Sequence, residues 1–248
     1  MKKLNFISFS ILFFVIFSCK KAENRSCFKK EGKIETRLVS VENFSKLFLK
    51  ENLDYVLVQD SLNKVVISGG ENLINLIDAK VEDNTLTLRN KNKCNFLRYN
   101  AEKIKVYIHF TSLNTIHFEG TDSLRCEDVL NASWLNLIIR DGGGSVNLNI
   151  NADHVYSTIT HGYGDFTLSG TANYSSIFLQ SNGYCDTYNL KVKDSVSVNT
   201  FSTSRVKVKA DQAKLKVEIN GKGDVWYKGY PSFISLIKSG TGELISKN

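Results

Sequence analysis

The sequence predicts an all-β fold, a right-handed β-helix-like solenoid with coils of about 20 residues. Three observations lead there: turns at a fixed period, an apolar column in constant register behind them, and apolar–polar alternation between them. From Phe118 to Ser246 the turns read Glu119-Gly120-Thr121-Asp122, Asp141-Gly142-Gly143-Gly144, His161-Gly162-Tyr163-Gly164, Ser181-Asn182-Gly183, Ser202-Thr203-Ser204, Asn220-Gly221-Lys222-Gly223 and Ser239-Gly240-Thr241-Gly242. Their last residues are 122, 144, 164, 183, 204, 223 and 242, spaced by 22, 20, 19, 21, 19 and 19. A constant period of this kind marks a repeat architecture and outranks any local reading.

Two residues past each turn stand Leu124, Val146, Phe166, Cys185, Val206, Val225 and Leu244. Four past stand Cys126, Leu148, Leu168, Thr187, Val208, Tyr227 and Ser246, and the residues between the two columns are mainly polar: Arg125, Asn147, Thr167, Asp186 and Lys207. Period-two alternation puts one face of each strand inward and the other outward. A further apolar column precedes the turns: Ile139, Ile159, Phe178, Val198, Ile219 and Ile237. A propeller blade needs roughly twice this repeat length, and the repeat has no helical period. Coils stacked about 4.8 Å apart through strand hydrogen bonds satisfy it. Glycine at the corners is expected to supply positive φ at sharp bends.

The chain has 248 residues and a net charge of +7. Lys2 and Lys3 contribute two of those charges and residues 20–33 contribute four, which leaves +1 for residues 34–248. A nearly neutral folded part argues against nucleic acid as a partner.

Met1-Lys2-Lys3 precedes an apolar run from Leu4 to Phe17, too short to span a bilayer comfortably, which ends at Ser18-Cys19. This resembles a bacterial lipobox, so residues 1–18 are expected to be a lipoprotein signal peptide and Cys19 the lipidated residue. Phe17 departs from the usual small or aliphatic residue at that position. Residues 19–35 then form a polar tether with no periodicity. Export to the cell envelope, at the outer membrane, follows from that reading.

Residues 36–248 form the folded domain, with an irregular N-terminal part over 36–115 and regular coils over 116–246. Short β-type runs occupy Leu38-Val39, 46–49, 54–58 and 64–67. One or two helical turns fit 71–77. Glu82-Asp83-Asn84 reads as a hairpin turn between two further strands, 90–103 as an exposed loop and Ile104–Phe110 as an alternating strand.

The order of these segments resembles the GIN-domain family, described as auto-transporter adhesin heads. The residues that carry the resemblance are Phe44, Asn72-Leu73, Val81 to Leu88 and the glycine turns. The ending Trp226-Tyr227-Lys228-Gly229-Tyr230-Pro231 to Ser239-Gly240-Thr241-Gly242-Glu243-Leu244 matches best. The resemblance covers roughly 36–246 and departs from the pattern at Ser202-Thr203-Ser204 and at 90–103. It implies a β-helix-like extracytoplasmic domain and supplies no catalytic residues; fold alone does not fix function.

The sequence carries no zinc, nucleophile-elbow, P-loop or dinucleotide motif, and no cofactor is expected. His109, His117, His154 and His161 have no metal-ligand spacing. Asp224 and Glu243 fall on one outward column and would sit one strand spacing apart, close enough for glycoside chemistry. A solvated ladder partly neutralised by Arg205 is the preferred reading, because no other acidic or basic column joins them. Cys126 and Cys185 lie three coils apart, beyond disulfide reach; Cys27 and Cys94 are the one pair that could bridge.

The expected function is therefore non-enzymatic: a lipid-anchored, adhesin-like binding module. Its partners would be the membrane through the anchor, a glycan or envelope protein on the side face, and another copy end to end. Exposed aromatics supply contact area at little entropic cost, which singles out Tyr163, Tyr184 and Trp226. The alternatives are a carbohydrate-active β-helix enzyme, which needs a cleft with two carboxylates and a base, and a structural envelope component with no ligand.

Overall fold

A computed structural model describes residues 30–92 and 103–248 of the chain. The stretch expected to be a signal peptide, Cys19, most of the expected tether, Cys27 and Cys94 lie outside the described residues.

The domain is a β-solenoid. Each regular coil runs up one side, crosses a short second segment, turns a corner and returns along another side. The strands are β1 (Ile34–Ser40), β2 (Lys46–Leu49), β3 (Asp54–Gln59), β4 (Lys64–Gly70), β5 (Ile77–Glu82), β6 (Thr85–Asn90), β7 (Lys105–Phe110), β8 (Thr115–Phe118) and β9 (Ser123–Cys126). They continue as β10 (Leu130–Ile139), β11 (Ser145–Ile159), β12 (Asp165–Leu179), β13 (Cys185–Thr200), β14 (Val206–Lys209), β15 (Lys214–Ile219), β16 (Val225–Lys228), β17 (Phe233–Lys238) and β18 (Leu244–Ser246). Among the described residues one short helix, α1 (Glu71–Ile74), follows β4. Among the described residues no helix is long and apolar enough to cross a membrane.

The column two residues past each turn is a ladder in the structure. Leu124, Val146, Phe166, Cys185, Val206, Val225 and Leu244 pair in that order through parallel strands. All but Leu244 are buried. Tyr55 and Val106 extend the ladder below Leu124. Each such side chain withdrawn from water contributes about 1.5–3 kcal/mol, so stacked coils share one continuous core.

The column before the turns is corrected. Ile139 pairs with Ile159, but Ile159 pairs with Leu179, Leu179 with Thr200, Thr200 with Ile219, and Ile219 with Lys238. Phe178 faces outward against Phe201, with ring centres 6.1 Å apart. Val198 belongs to the inward column two residues earlier, beside Ile177 and Val217. Ile237 is exposed. Irregularities between Thr167 and Ser169 and between Ala172 and Tyr174 shift the pairing by one residue, and a one-residue slip moves a side chain to the other face.

The role expected of the corner glycines is also corrected. Among the turn glycines only Gly162 has positive φ, at 85°. What most of the others provide is close approach between backbones of stacked turns, as at Gly142, Gly144, Gly221, Gly223, Gly240 and Gly242. A Cβ on Gly144 would lie 2.1 Å from the Asp122 carbonyl oxygen, and the Gly144 N–H donates to Gly120 O at 3.0 Å. The glycine-free turn is closed by side chains instead: Ser204 N–H donates to Ser202 Oγ at 2.9 Å and the Thr203 hydroxyl to Asn182 Oδ1 at 2.7 Å.

The stretch 36–115 is more regular than its sequence suggests, because its coils stack out of chain order. On one side β2 sits between β6 and β8, and on the other β3 sits between β7 and β9, all in parallel. The antiparallel pairs β1–β4 and β5–β6 finish that end of the stack. The β5–β6 turn has positive φ at Asp83 and Asn84, as a two-residue hairpin requires. At the opposite end β17 and β18 form the last layer. There the inward residues Ile234 and Leu236 are 43% and 45% exposed, whereas Leu215 and Val217 one coil below are buried.

Candidate functional site

Four successive coils present a groove at the corner between the short segment and the returning side. Its floor is the column Ala132, Ala152, Ala172 and Val192. The concavity has a volume of about 740 Å³. Burial alternates along β11 up to Ala152, then Asp153 and His154 both face away from the core before Val155 turns in again. That phase break makes the corner and aims two consecutive residues per coil outward.

One wall is an amide ladder. Asn151 Nδ2 donates to Asn131 Oδ1 at 3.0 Å, and the Thr171 hydroxyl donates to Asn151 Oδ1 at 2.9 Å. Gln59 closes its lower end, accepting the Asn131 N–H at 2.8 Å and donating to Asn131 O at 3.1 Å. On the far side of the Asp153–Asn173 row stands an aromatic ladder. Trp134 pairs with His154 and His154 with Tyr174 in the strand register. Ring centres are 5.6 Å apart for the first pair and 4.6 Å for the second. Tyr156 stacks on Trp134 at 4.4 Å. Trp134 and Tyr174 remain 49% and 42% exposed. Asp194 beside Tyr174 pushes its phenol pKa up. The upper end carries Lys191 and Lys193. An elongated cleft with hydroxyl-compatible amides on one side, the Asp153–Asn173 row on the other and the aromatic ladder beyond that row suits a hydroxylated, extended ligand.

A second aromatic surface covers the outer face of β13, β14, β16 and β18. Trp226 lies between two cations, with the Arg205 guanidinium 3.5 Å and Lys247 Nζ 4.0 Å from its ring centre. The Tyr184 hydroxyl donates to Asp186 at 3.0 Å, and Asp186 also holds Lys207 at 3.0 Å. The Tyr184 hydroxyl and the Asp186 carboxylate together raise the Lys207 pKa. The structure thus brings Tyr184 and Trp226 onto one face, whereas Tyr163 projects from its turn, 77% exposed.

The family model described as "Putative auto-transporter adhesin, head GIN domain" matches residues 43–231. The chain belongs to the GIN-domain family. Among solved structures, this GIN domain is similar to a protein described as a putative adhesin from Bacteroides fragilis NCTC 9343. The identity is 25% and the TM-score 0.74, over 87% of this chain and 97% of that one. Two proteins from Parabacteroides distasonis ATCC 8503 share the fold. One is described as a putative adhesin, at 20% identity and TM-score 0.59 over 86% and 97% of the two chains. The other is described as a putative lipid binding protein, at 16% identity and 0.63 over 88% and 98%. No curated protein matches the chain.

The carboxylate pair has structural duties in this GIN domain. Asp224 Oδ1 accepts the backbone N–H of Glu243 at 2.9 Å, and Glu243 is ion-paired with Lys238. Arg205, expected to neutralise them, stacks on Trp226 instead. Among the described residues no cluster of three or more His, Cys, Asp or Glu side chains is arranged to hold a metal. Cys126 and Cys185 are free, as their register requires.

Sequence reasoning placed its aromatic candidates near the turns and missed Trp134, His154 and Tyr174. The signal was present: 134, 154 and 174 are spaced by the coil period, as are Asn131, Asn151, Thr171 and Lys191. These columns lie far from the turns, where the eye for glycine does not look.

Proposed function

We propose that this GIN domain is an exported, lipid-anchored envelope protein that acts by non-covalent binding, with the corner groove as its principal ligand site and an extended glycan as the ligand class. The observation that carries the reading is the exposed Trp134–His154–Tyr174 ladder beside a groove walled by side-chain amides. Sugar hydroxyls can hydrogen-bond to the side-chain amides, and the exposed ring edges nearby offer apolar contact, without any acid–base pair. The anchor is supported by the apolar run that ends at Ser18-Cys19. Tyr163, Tyr184 and Trp226 are assigned to secondary contacts outside the groove.

Glycan arrays and envelope extracts test the reading. Trp134→Ala and Tyr174→Ala are expected to weaken binding about tenfold or more, as loss of a buried aromatic contact does, with the fold intact. Retained binding in both variants overturns the groove. Cleavage of a polysaccharide that Asp224→Asn abolishes overturns the non-enzymatic reading. For the anchor, Cys19→Ser should release the protein from the membrane fraction, and a wild-type chain that is already unlipidated sinks it.

A further inference from the structure

Lys209, Lys228 and Lys247 occupy one position on three successive coils. Lys209 pairs with Lys228 between β14 and β16. Tyr227 pairs with Ser246 between β16 and β18, and the Lys247 N–H donates to Tyr227 O at 2.9 Å, which sets Lys247 opposite Lys228. Their backbone positions lie on one line along the solenoid axis, about one strand spacing of 4.8 Å apart. All three line a cavity of about 590 Å³.

Like charges directly opposite one another on neighbouring strands destabilise a sheet. Elsewhere on this face the chain neutralises its lysines, as with Lys207 and Asp186. Among the described residues none of these three lysines takes part in an ion pair. The one acidic side chain in the cavity wall, Asp211, accepts the Tyr230 N–H at 3.0 Å. Aromatic rings hold two of the ammonium groups in place: Lys247 stands 4.0 Å from the Trp226 ring centre and Lys228 stands 4.7 Å from that of Tyr188. The Tyr188 hydroxyl, in the same wall, has no hydrogen-bond partner among the described residues.

We propose that this cavity is a second binding site, for a linear acidic glycan whose sugars carry carboxylate or sulfate groups in a regular row. Lysines repeated along the solenoid axis meet anions repeated along a sugar chain. Tyr230, 71% exposed, offers ring surface to the C–H faces between those anions. A lipid surface presents its charges in a plane, whereas these three cations stand in a line within a cleft. The site extends the reading of the domain as an envelope binding module, and it uses no residue of the corner groove.

The test uses the full chain carrying Cys19→Ser, so that no lipid confuses the vesicle arm. Binding is measured to polygalacturonate, dextran sulfate, neutral dextran, and vesicles of phosphatidylglycerol with phosphatidylcholine. An acidic glycan should bind, more weakly as salt rises, and neutral dextran should not bind at this site. Lys228→Gln with Lys247→Gln should cost at least tenfold and flatten the salt dependence. The same variant should melt no lower than the parent at low salt, because it relieves like-charge repulsion. Trp134→Ala should leave acidic-glycan binding unchanged, which separates this site from the groove. The proposal is overturned if neither acidic glycan binds, if binding survives the double substitution, or if vesicles bind with the same dependence on the lysines.

Discussion

The rings of His154 and Tyr174 stack face to face on successive coils, their centres 4.6 Å apart and their planes 9° from parallel. Neither ring belongs to the core: both project from the corner where β11 and β12 bend. Stacked aromatic pairs contribute about 0.5–1.5 kcal/mol beyond burial, too little to make such a ladder a main source of stability. Tyr174→Ser is therefore expected to lower unfolding free energy by about 1 kcal/mol. Phe166→Ala, in the buried column, should cost about 3–5 kcal/mol. Urea titration of both variants checks the contrast, and equal losses would mean that the ladder is structural.

Adjacent glycines in one turn should behave oppositely. At Gly143 a new Cβ meets nothing within 4 Å, whereas at Gly144 it meets the Asp122 carbonyl oxygen at 2.1 Å and the Gly120 oxygen at 2.9 Å. Both obstacles are backbone of the coil below, so relief requires the coils to separate. Gly143→Ala should leave stability within about 0.5 kcal/mol of the parent, the usual range for surface changes. Gly144→Ala should cost more than about 3 kcal/mol, as overpacking against rigid neighbours does. Thermal melts of the two variants decide it.

Asp60 predicts an acid-dependent loss of stability. Its carboxylate accepts from Lys64 Nζ at 3.0 Å, from the Ser61 N–H at 2.6 Å and meets His109 Nδ1 at 2.9 Å. Lys64 is the largest cause of a pKa well below the usual carboxylate range, and the Ser61 N–H and His109 add to it. A depressed folded-state pKa gives stability that is present above the unfolded value, near 3.9, and lost as pH falls through the folded one. Asp60→Asn should thus be less stable than wild type at pH 7. The gap should narrow below about pH 4 and close in stronger acid. A gap that widens on acidification contradicts the assignment.

How much could be read from residues alone depended on whether chain order equals stacking order. From Leu124 to Leu244 it does, so a column counted from the turns is the ladder the strands build. From Phe44 to Phe110 it does not: the segment Lys46–Gln59 inserts between coils that follow it in sequence, and no local period can reveal that. The column before the turns failed for a smaller reason. Coil length varies, and counting from one turn carries every insertion forward into the next return strand. Trp134, His154 and Tyr174 were legible as a 20-residue repeat, but their exposure was not, because it depends on the corner at Asp153–His154.

Cys185 offers the sharpest check of the register. It sits between Phe166 and Val206 in the inward ladder, fully buried, and burial pushes its thiol pKa well up. Cys126 lies on β9, three coils below, half-buried, its Sγ 3.0 Å from the Asn149 N–H. A thiol without access or thiolate character reacts slowly, so mass spectrometry after maleimide treatment should find the Cys185 peptide unlabelled until denaturant is added. Cys185→Val keeps an apolar side chain of similar volume and should cost under about 1.5 kcal/mol. Cys185→Ser places an unpaired hydroxyl among apolar neighbours and should cost about 1–3 kcal/mol. If serine is tolerated as well as valine, or if a Cys126–Cys185 bridge is mapped in the oxidised protein, the coil register from Leu124 to Val206 is wrong.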